Sequence, residues 1–248
     1  MKAIIPAAGY ATRLYPLTKD FPKPLLDISG RPMIEYIISK IGDIPEVNEI
    51  IVVTNAKFFP HFDAWKKNFN SKIPVRILND GTKNENERLG AIGDFQFAIE
   101  KAGIKEDLLI INADNLFNFS LLNPYSFFKS KASDVICFFD IGSVEEARKM
   151  GVGRLDSNGK IIDFVEKPAE PKSTLMSTGI YFYRQTTVRL IKEYLGSGNS
   201  PDKPGNFVGW LYRKKPVFGF VPREKNDKWF DIGSFDALEE ARKAFANK

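Results

Sequence analysis

The sequence predicts an α/β fold, a mixed and mostly parallel sheet with helices on both faces. Two observations predict it. Short apolar runs alternate with helical patterns through the first half. The runs are continuously apolar, as in Leu108 to Ile111, which is what strands covered on both faces require. A chain of 248 residues, 43% hydrophobic, can bury one substantial core, so a single domain over 1–248 is expected, with halves of about 1–115 and 116–248.

Taken in order, Ala3 to Ile5 is a buried strand. Pro32 starts a helix that sets Ile34, Ile37, Ile38 and Ile41 on one face, at offsets of three, four and seven. Glu49 to Thr54 is the second strand, Phe58 to Phe69 a helix, and Val75 to Leu78 the third strand, before a polar loop from Asn79 to Glu87. A helix over Ala91 to Lys101 leads to the strand at Leu108 to Ile111, and a further helix and the run around Cys137 complete the alternation. Right-handed crossovers bring the loops after parallel strands to one sheet edge, where open α/β sheets bind ligands. Loops 7–24, 79–89 and 112–115 are therefore expected to share a crevice. Further on, Gly153 to Leu155 and Lys160 to Glu166 read as a hairpin around Asn158-Gly159. Gly179 to Tyr183 is another strand. Ser234 caps a last helix with a stripe of Phe235, Leu238, Ala241 and Phe245, acids early and Arg242 and Lys243 late.

Composition narrows the function classes. The net charge is +5, but Lys66-Lys67 and Arg213-Lys214-Lys215 are short, separate clusters without an RNA or DNA motif, so no nucleic-acid partner is expected. No run approaches the ~20 apolar residues of a membrane span. The N-terminal apolar run is broken by Pro6 and too short for a secretory signal, so a cytoplasmic location without membrane contact is expected. The one cysteine, Cys137, excludes an intrachain disulfide and reads as a small buried hydrophobe. His61 has no second imidazole near it in sequence.

The chemistry concentrates in four stretches. Ala7-Ala8-Gly9-Tyr10-Ala11-Thr12-Arg13 follows strand one, and its small residues let backbone N–H groups approach a polyphosphate. Arg13 offers a fixed fork of donors for phosphate oxygens; Lys23, in Pro22-Lys23-Pro24, offers a compact mobile charge. Asp114 directly follows a buried strand and is the hard oxygen ligand that Mg²⁺ prefers. Val165-Glu166-Lys167-Pro168 with Ser177-Thr178-Gly179, and Trp229-Phe230-Asp231-Ile232-Gly233, complete the set.

In this order and spacing, these motifs resemble the sugar-1-phosphate nucleotidyltransferase family, which includes glucose-1-phosphate uridylyl- and thymidylyltransferases. The resemblance runs from Met1 to the last helix. It implies the Rossmann-like fold of nucleotide-diphospho-sugar transferases. It also implies a Mg²⁺-dependent condensation of a nucleoside triphosphate with a sugar 1-phosphate, releasing pyrophosphate. On that resemblance Ala8, Gly9, Tyr10, Ala11, Thr12, Arg13 and Lys23 bind the nucleotide, Arg13, Lys23 and Asp114 are catalytic, and Asp114 and Asp231 hold the metal. Glu166 would bind sugar hydroxyls and Lys167 the sugar phosphate, with Lys203 the next candidate, while Gly179 brings backbone near the sugar. The segment from Asn79 to Asp94 is where the family reads the base. Gly90 and Gly93 match its small residues, but the usual glutamine is absent and asparagines such as Asn79 stand in its place. Ala11 replaces a usual glycine, which an alanine tolerates at negative φ, and Ala113 replaces another. Two alternatives stay open: a phosphocholine or other phosphorylated-alcohol acceptor, and a non-catalytic nucleotide-sugar sensor. A monomer or small homo-oligomer is expected.

Overall fold

The computed structural model describes residues 1–246. Its strands are β1 Lys2–Pro6, β2 Asp27–Ile28, β3 Arg31–Pro32, β4 Glu49–Thr54, β5 Val75–Asn79, β6 Leu108–Ile111, β7 Asn115–Phe117, β8 Asp134–Asp140, β9 Gly151–Leu155, β10 Ile161–Glu166, β11 Leu175–Tyr183, β12 Val217–Phe220 and β13 Trp229–Asp231. Its helices are α1 Met33–Ile41, α2 Phe59–Asn68, α3 Ala91–Ala102, α4 Leu122–Lys131, α5 Val144–Ala147, α6 Gln185–Gly196, α7 Pro204–Leu211 and α8 Phe235–Phe245.

Nine strands form the central sheet in the order β10-β9-β11-β6-β1-β4-β5, with β8 beside β11 and β12 beside β8. The first half behaves as its periodicity requires: β1 pairs in parallel with β4 and β6, and β4 with β5. The run around Cys137 departs from the simple alternation. That strand, β8, keeps the direction of β6 but does not lie next to it, because β11 inserts between them and pairs antiparallel with both. The sheet is thus mixed, and strands of both halves of the chain share it.

Neighbouring side chains on each strand separate onto the two faces. Ile5 and Leu109 join one core with Ile34, Ile37, Phe62 and Phe128, while Ile4 and Ile110 join the other with Phe95, Tyr183 and Phe207. Cys137 is fully buried in the first core, and burial pushes its thiol pKa up, away from any nucleophilic role. A third, smaller core of Leu14, Met33, Leu116 and Leu238 seats α8 against the small strands β2 and β13. The Ser234 hydroxyl accepts from Ala237 N at 3.2 Å, so the last helix begins where its cap residue specifies. Truncating a fully buried ring such as Phe95 would cost about 3–5 kcal/mol, a large part of a domain's net stability.

Candidate active site

The loops after β1, β5 and β6 do open onto one cleft, of about 650 Å³. Residues 7–13, Lys23, Asp114, Glu166, Lys167, Gly179, Lys203 and Asp231 all line it. His61 does not; its ring sits against Phe21 and Phe58. Asn79 is also outside the lining: it is exposed, and its Oδ1 accepts Gly81 N at 2.9 Å within a turn.

Two short strands bring the distant acids together. β7 and β13 form a separate antiparallel ribbon in which Trp229 faces Phe117, Phe230 faces Leu116, and Asp231 faces Asn115. Ile232 N then donates to Asp114 O at 2.9 Å. The ribbon therefore sets Asp231 one residue from Asp114 across a strand pair, despite more than a hundred residues of intervening chain. Lys23 Nζ closes this corner, donating to Asp114 Oδ2 at 2.8 Å and to Ile232 O at 2.8 Å. Asn115 Nδ2 donates to Asp114 Oδ1 at 3.0 Å. Burial first, and the adjacent Asp114 second, push the Asp231 carboxyl up to about 6, while Lys23, Arg13 and Lys167 oppose the shift. The Arg13 guanidinium and Asp231 Oδ2 both lie over the Cα of Gly233, where a Cβ would come within 3.3 Å of each.

Ala11 corrects the expectation of negative φ. It takes the left-handed conformation, φ 49° and ψ 43°, and still opens the 3₁₀ turn Thr12–Leu14. The surroundings over-determine that strain: Ala11 O accepts from Thr18 Oγ1 at 2.8 Å and from Leu14 N at 3.0 Å.

Elsewhere in the lining, Glu166 ends β10 and Lys167 follows it with φ 51°. Burial raises the Glu166 pKa, against Lys203 and Lys167, whose charges pull it down. Its Oε2 occupies space beside Gly205 that a side chain there would take. Gly179 has φ 72°, and a Cβ on it would fall 2.7 Å from Asn112 Nδ2 and 2.9 Å from Asn115 Nδ2, so only glycine lets β11 pass under the Asn112–Asn115 turn.

Gly90, φ 78°, is pressed on the backbone of Pro201, where a Cβ would sit 2.7 Å from its carbonyl carbon. Ala91 N and Ile92 N donate to Asp202 O and Pro201 O, at 3.4 and 2.8 Å, and Arg88 pairs with Asp202 at 3.4 Å. Segment 199–205 is thereby clasped to the start of α3 and the loop before it, a contact that nothing in either segment announces. Asp94, in the first turn of α3 and 5% exposed, also lines the cleft, although no motif singles it out within the 79–94 segment. A helical wheel carries the signal, since Asp94 lies one turn before buried Ala98 on the inward face.

A Rossmann-like sheet with a small-residue loop carrying Arg13 after its first strand and paired acids at its edge defines an α/β protein with its cleft where open sheets bind ligands. The model of the Nucleotidyl transferase family matches residues 2–248, and the chain belongs to that family. It is 30% identical over 240 residues to the bifunctional protein GlmU of Methanococcus aeolicus, a match covering 96% of this chain and 53% of that protein. It is 31% identical over 196 residues to mannose-1-phosphate guanylyltransferase 1 of Arabidopsis thaliana, covering 77% of this chain and 52% of the relative. The chain spans about half the length of these relatives. It also superposes on a UDP-glucose pyrophosphorylase solved with UDP-glucose, with a TM-score of 0.78 at 23% identity over 98% of this chain and 97% of that one, which shows the shared fold. Among the described residues no helix is long and apolar enough to cross a membrane.

Proposed function

We propose that this chain condenses a nucleoside triphosphate with a sugar 1-phosphate, giving a nucleotide sugar and pyrophosphate. The observation that carries the reading is that Asp114, Asp231, Lys23 and Arg13 line one cleft together with Glu166, Lys167 and Lys203. The first group suits a triphosphate and the second a phosphorylated, hydroxyl-rich acceptor. Glu166 and its cationic neighbours have no evident task with choline, and the retained acids and cations have none in a sensor.

The residues fit a magnesium ion. Asp114 and Asp231 are hard oxygen donors, and no third His, Cys, Asp or Glu joins them among the described residues. The remaining positions then fall to water and phosphate oxygens, the usual coordination of Mg²⁺. Asp114 and Asp231 would hold the ion, which would supply Lewis acidity and charge neutralisation to the phosphates.

The remaining steps belong to the chain. The acceptor phosphate is already an anion at neutral pH, so no protein base is required for attack on the α-phosphorus, and catalysis is positioning plus charge stabilisation. The 8–13 loop presents backbone N–H groups to the triphosphate, and Arg13 holds the departing β,γ-phosphates. Lys23, pinned by Asp114 and Ile232 O in the free protein, is held where charge grows at the α-phosphate. Lys167 and Lys203 take the acceptor phosphate, and Glu166 accepts sugar hydroxyls.

Pyrophosphate release is the test, with UTP, dTTP, CTP, ATP and GTP against a set of sugar 1-phosphates and phosphocholine, with and without Mg²⁺. Magnesium-dependent release with a sugar phosphate is expected. Release with phosphocholine alone, or none with any pair, would overturn the reading.

A further inference from the structure

Asp94 is left without a task by the roles above. It lines the cleft on the side of the 84–91 loop, and its buried Oδ1 has no hydrogen-bond partner. It is not a helix cap, because Ala91 N and Ile92 N go to Asp202 O and Pro201 O. Nor does any cation offset it: burial dominates its environment, and the one other charge it feels is the like charge of Asp80. An acid buried without a partner is costly in free energy. Placed on a ligand-facing wall, it points to a partner that arrives with the ligand.

The surroundings add acceptors. Asp80 Oδ1 is taken by Thr82 N and Oγ1, at 2.7 and 2.8 Å, but its Oδ2 is buried and unpartnered. Glu85 lines the same stretch of wall. The guanidinium of Arg88 stands at the rim, half-exposed, between Glu85 and Asp202.

We infer that Asp94 reads the base of the nucleotide and that this base is guanine, an inference that rests on the nucleotidyl-transfer reading of the cleft. Guanine presents two adjacent donors, N1–H and the 2-amino group, which the two oxygens of Asp94 can accept together once their arrival draws off the proton that burial keeps on it in the free protein. Uracil and thymine instead flank a single N–H with two carbonyl oxygens, and those repel a carboxylate. Adenine and cytosine place a ring-nitrogen acceptor beside their amino group. The O6 and N7 acceptors of guanine are the usual counterpart of an arginine fork, which Arg88 supplies at the rim. Acceptors deep in the wall and a guanidinium outside match guanine in both places.

The test compares kcat/KM for GTP, ITP, UTP, dTTP, CTP and ATP with a saturating sugar 1-phosphate, in the wild type and in Asp94→Asn. ITP differs from GTP in lacking the 2-amino group. GTP should lead the wild-type series and exceed ITP by about ten- to a hundredfold, the effect of one charge-assisted hydrogen bond. Asp94→Asn should collapse that lead. Wild-type turnover faster with UTP or dTTP than with GTP would overturn the base assignment and leave nucleotidyl transfer standing. An undiminished lead over ITP in Asp94→Asn would overturn the role of Asp94. Calorimetric binding of the same nucleotides to the wild type needs neither turnover nor a folded variant. A GTP preference in binding with no turnover supports the base assignment and removes the proposed reaction, whereas equal binding of GTP and UTP overturns the assignment.

Discussion

Replacing Asp94 by asparagine in the ligand-free protein should change how stability depends on pH. Burial pushes its carboxyl up to about 8, from about 3.9 in an unfolded chain. The folded state therefore retains a proton that the unfolded state releases across this window. The stabilisation is fully present below about pH 4 and is lost as pH rises through about 8, at about 1.4 kcal/mol per pH unit. Between pH 5 and pH 8 the wild type should lose about 4 kcal/mol relative to Asp94→Asn, since asparagine keeps the shape and does not titrate. Asp231 and Glu166, also raised by burial, are present in both proteins and drop out of the difference. Urea unfolding of both proteins at the two pH values measures it. If the stability difference between them is the same at pH 5 and pH 8, Asp94 is not the desolvated acid described above.

Other consequences follow from the same geometry. Lys23→Ala and Asp114→Asn should each lower kcat about a hundred- to a thousandfold, ~3–4 kcal/mol of transition-state stabilisation, with unfolding still cooperative; near-normal turnover in either would remove its role. Lys167→Ala should chiefly raise KM for the sugar phosphate, and an unchanged KM would transfer phosphate binding to Lys203. Ala11→Gly should stabilise the protein by about 1 kcal/mol, because a left-handed alanine costs about that much, and thermal unfolding should show a rise of ~2–4 °C. A lower melting temperature would mean that Ala11 is unstrained.

The parts legible in the sequence are those whose cause is local. Continuous apolar runs specified β1, β4 and β6, the Asn158-Gly159 pair specified the β9–β10 turn, and Ser234 marked the start of α8. The cleft-lining loops followed from strand direction alone. What lay beyond reach depended on partners distant in sequence. No property of residues 175–183 reveals that β11 inserts between β6 and β8, since antiparallel pairing is chosen by tertiary packing. The clasp between Gly90 and Pro201 is equally non-local. Ala11 went the other way: its type favoured negative φ, and hydrogen bonds from Thr18 and Leu14 overrode that preference. Asn79 is an amide of the right loop, but its carbonyl oxygen is engaged in its own turn, which the residue type does not reveal.

The β7–β13 ribbon makes assembly of the paired acids a late event. Its halves are short, of three residues each, and neither can persist as an isolated strand. Until the segment carrying Trp229 to Asp231 docks beside Asn115 to Phe117, Asp114 and Lys23 face an incomplete corner, however well the large sheet has formed. Loop closure over so long a stretch is slow relative to the local contacts of the first half. A chain can thus be compact, with both hydrophobic cores in place, and still lack the arrangement assigned to metal binding. Competence is conferred by the final strand, so a contact between segments more than a hundred residues apart determines when the whole becomes functional.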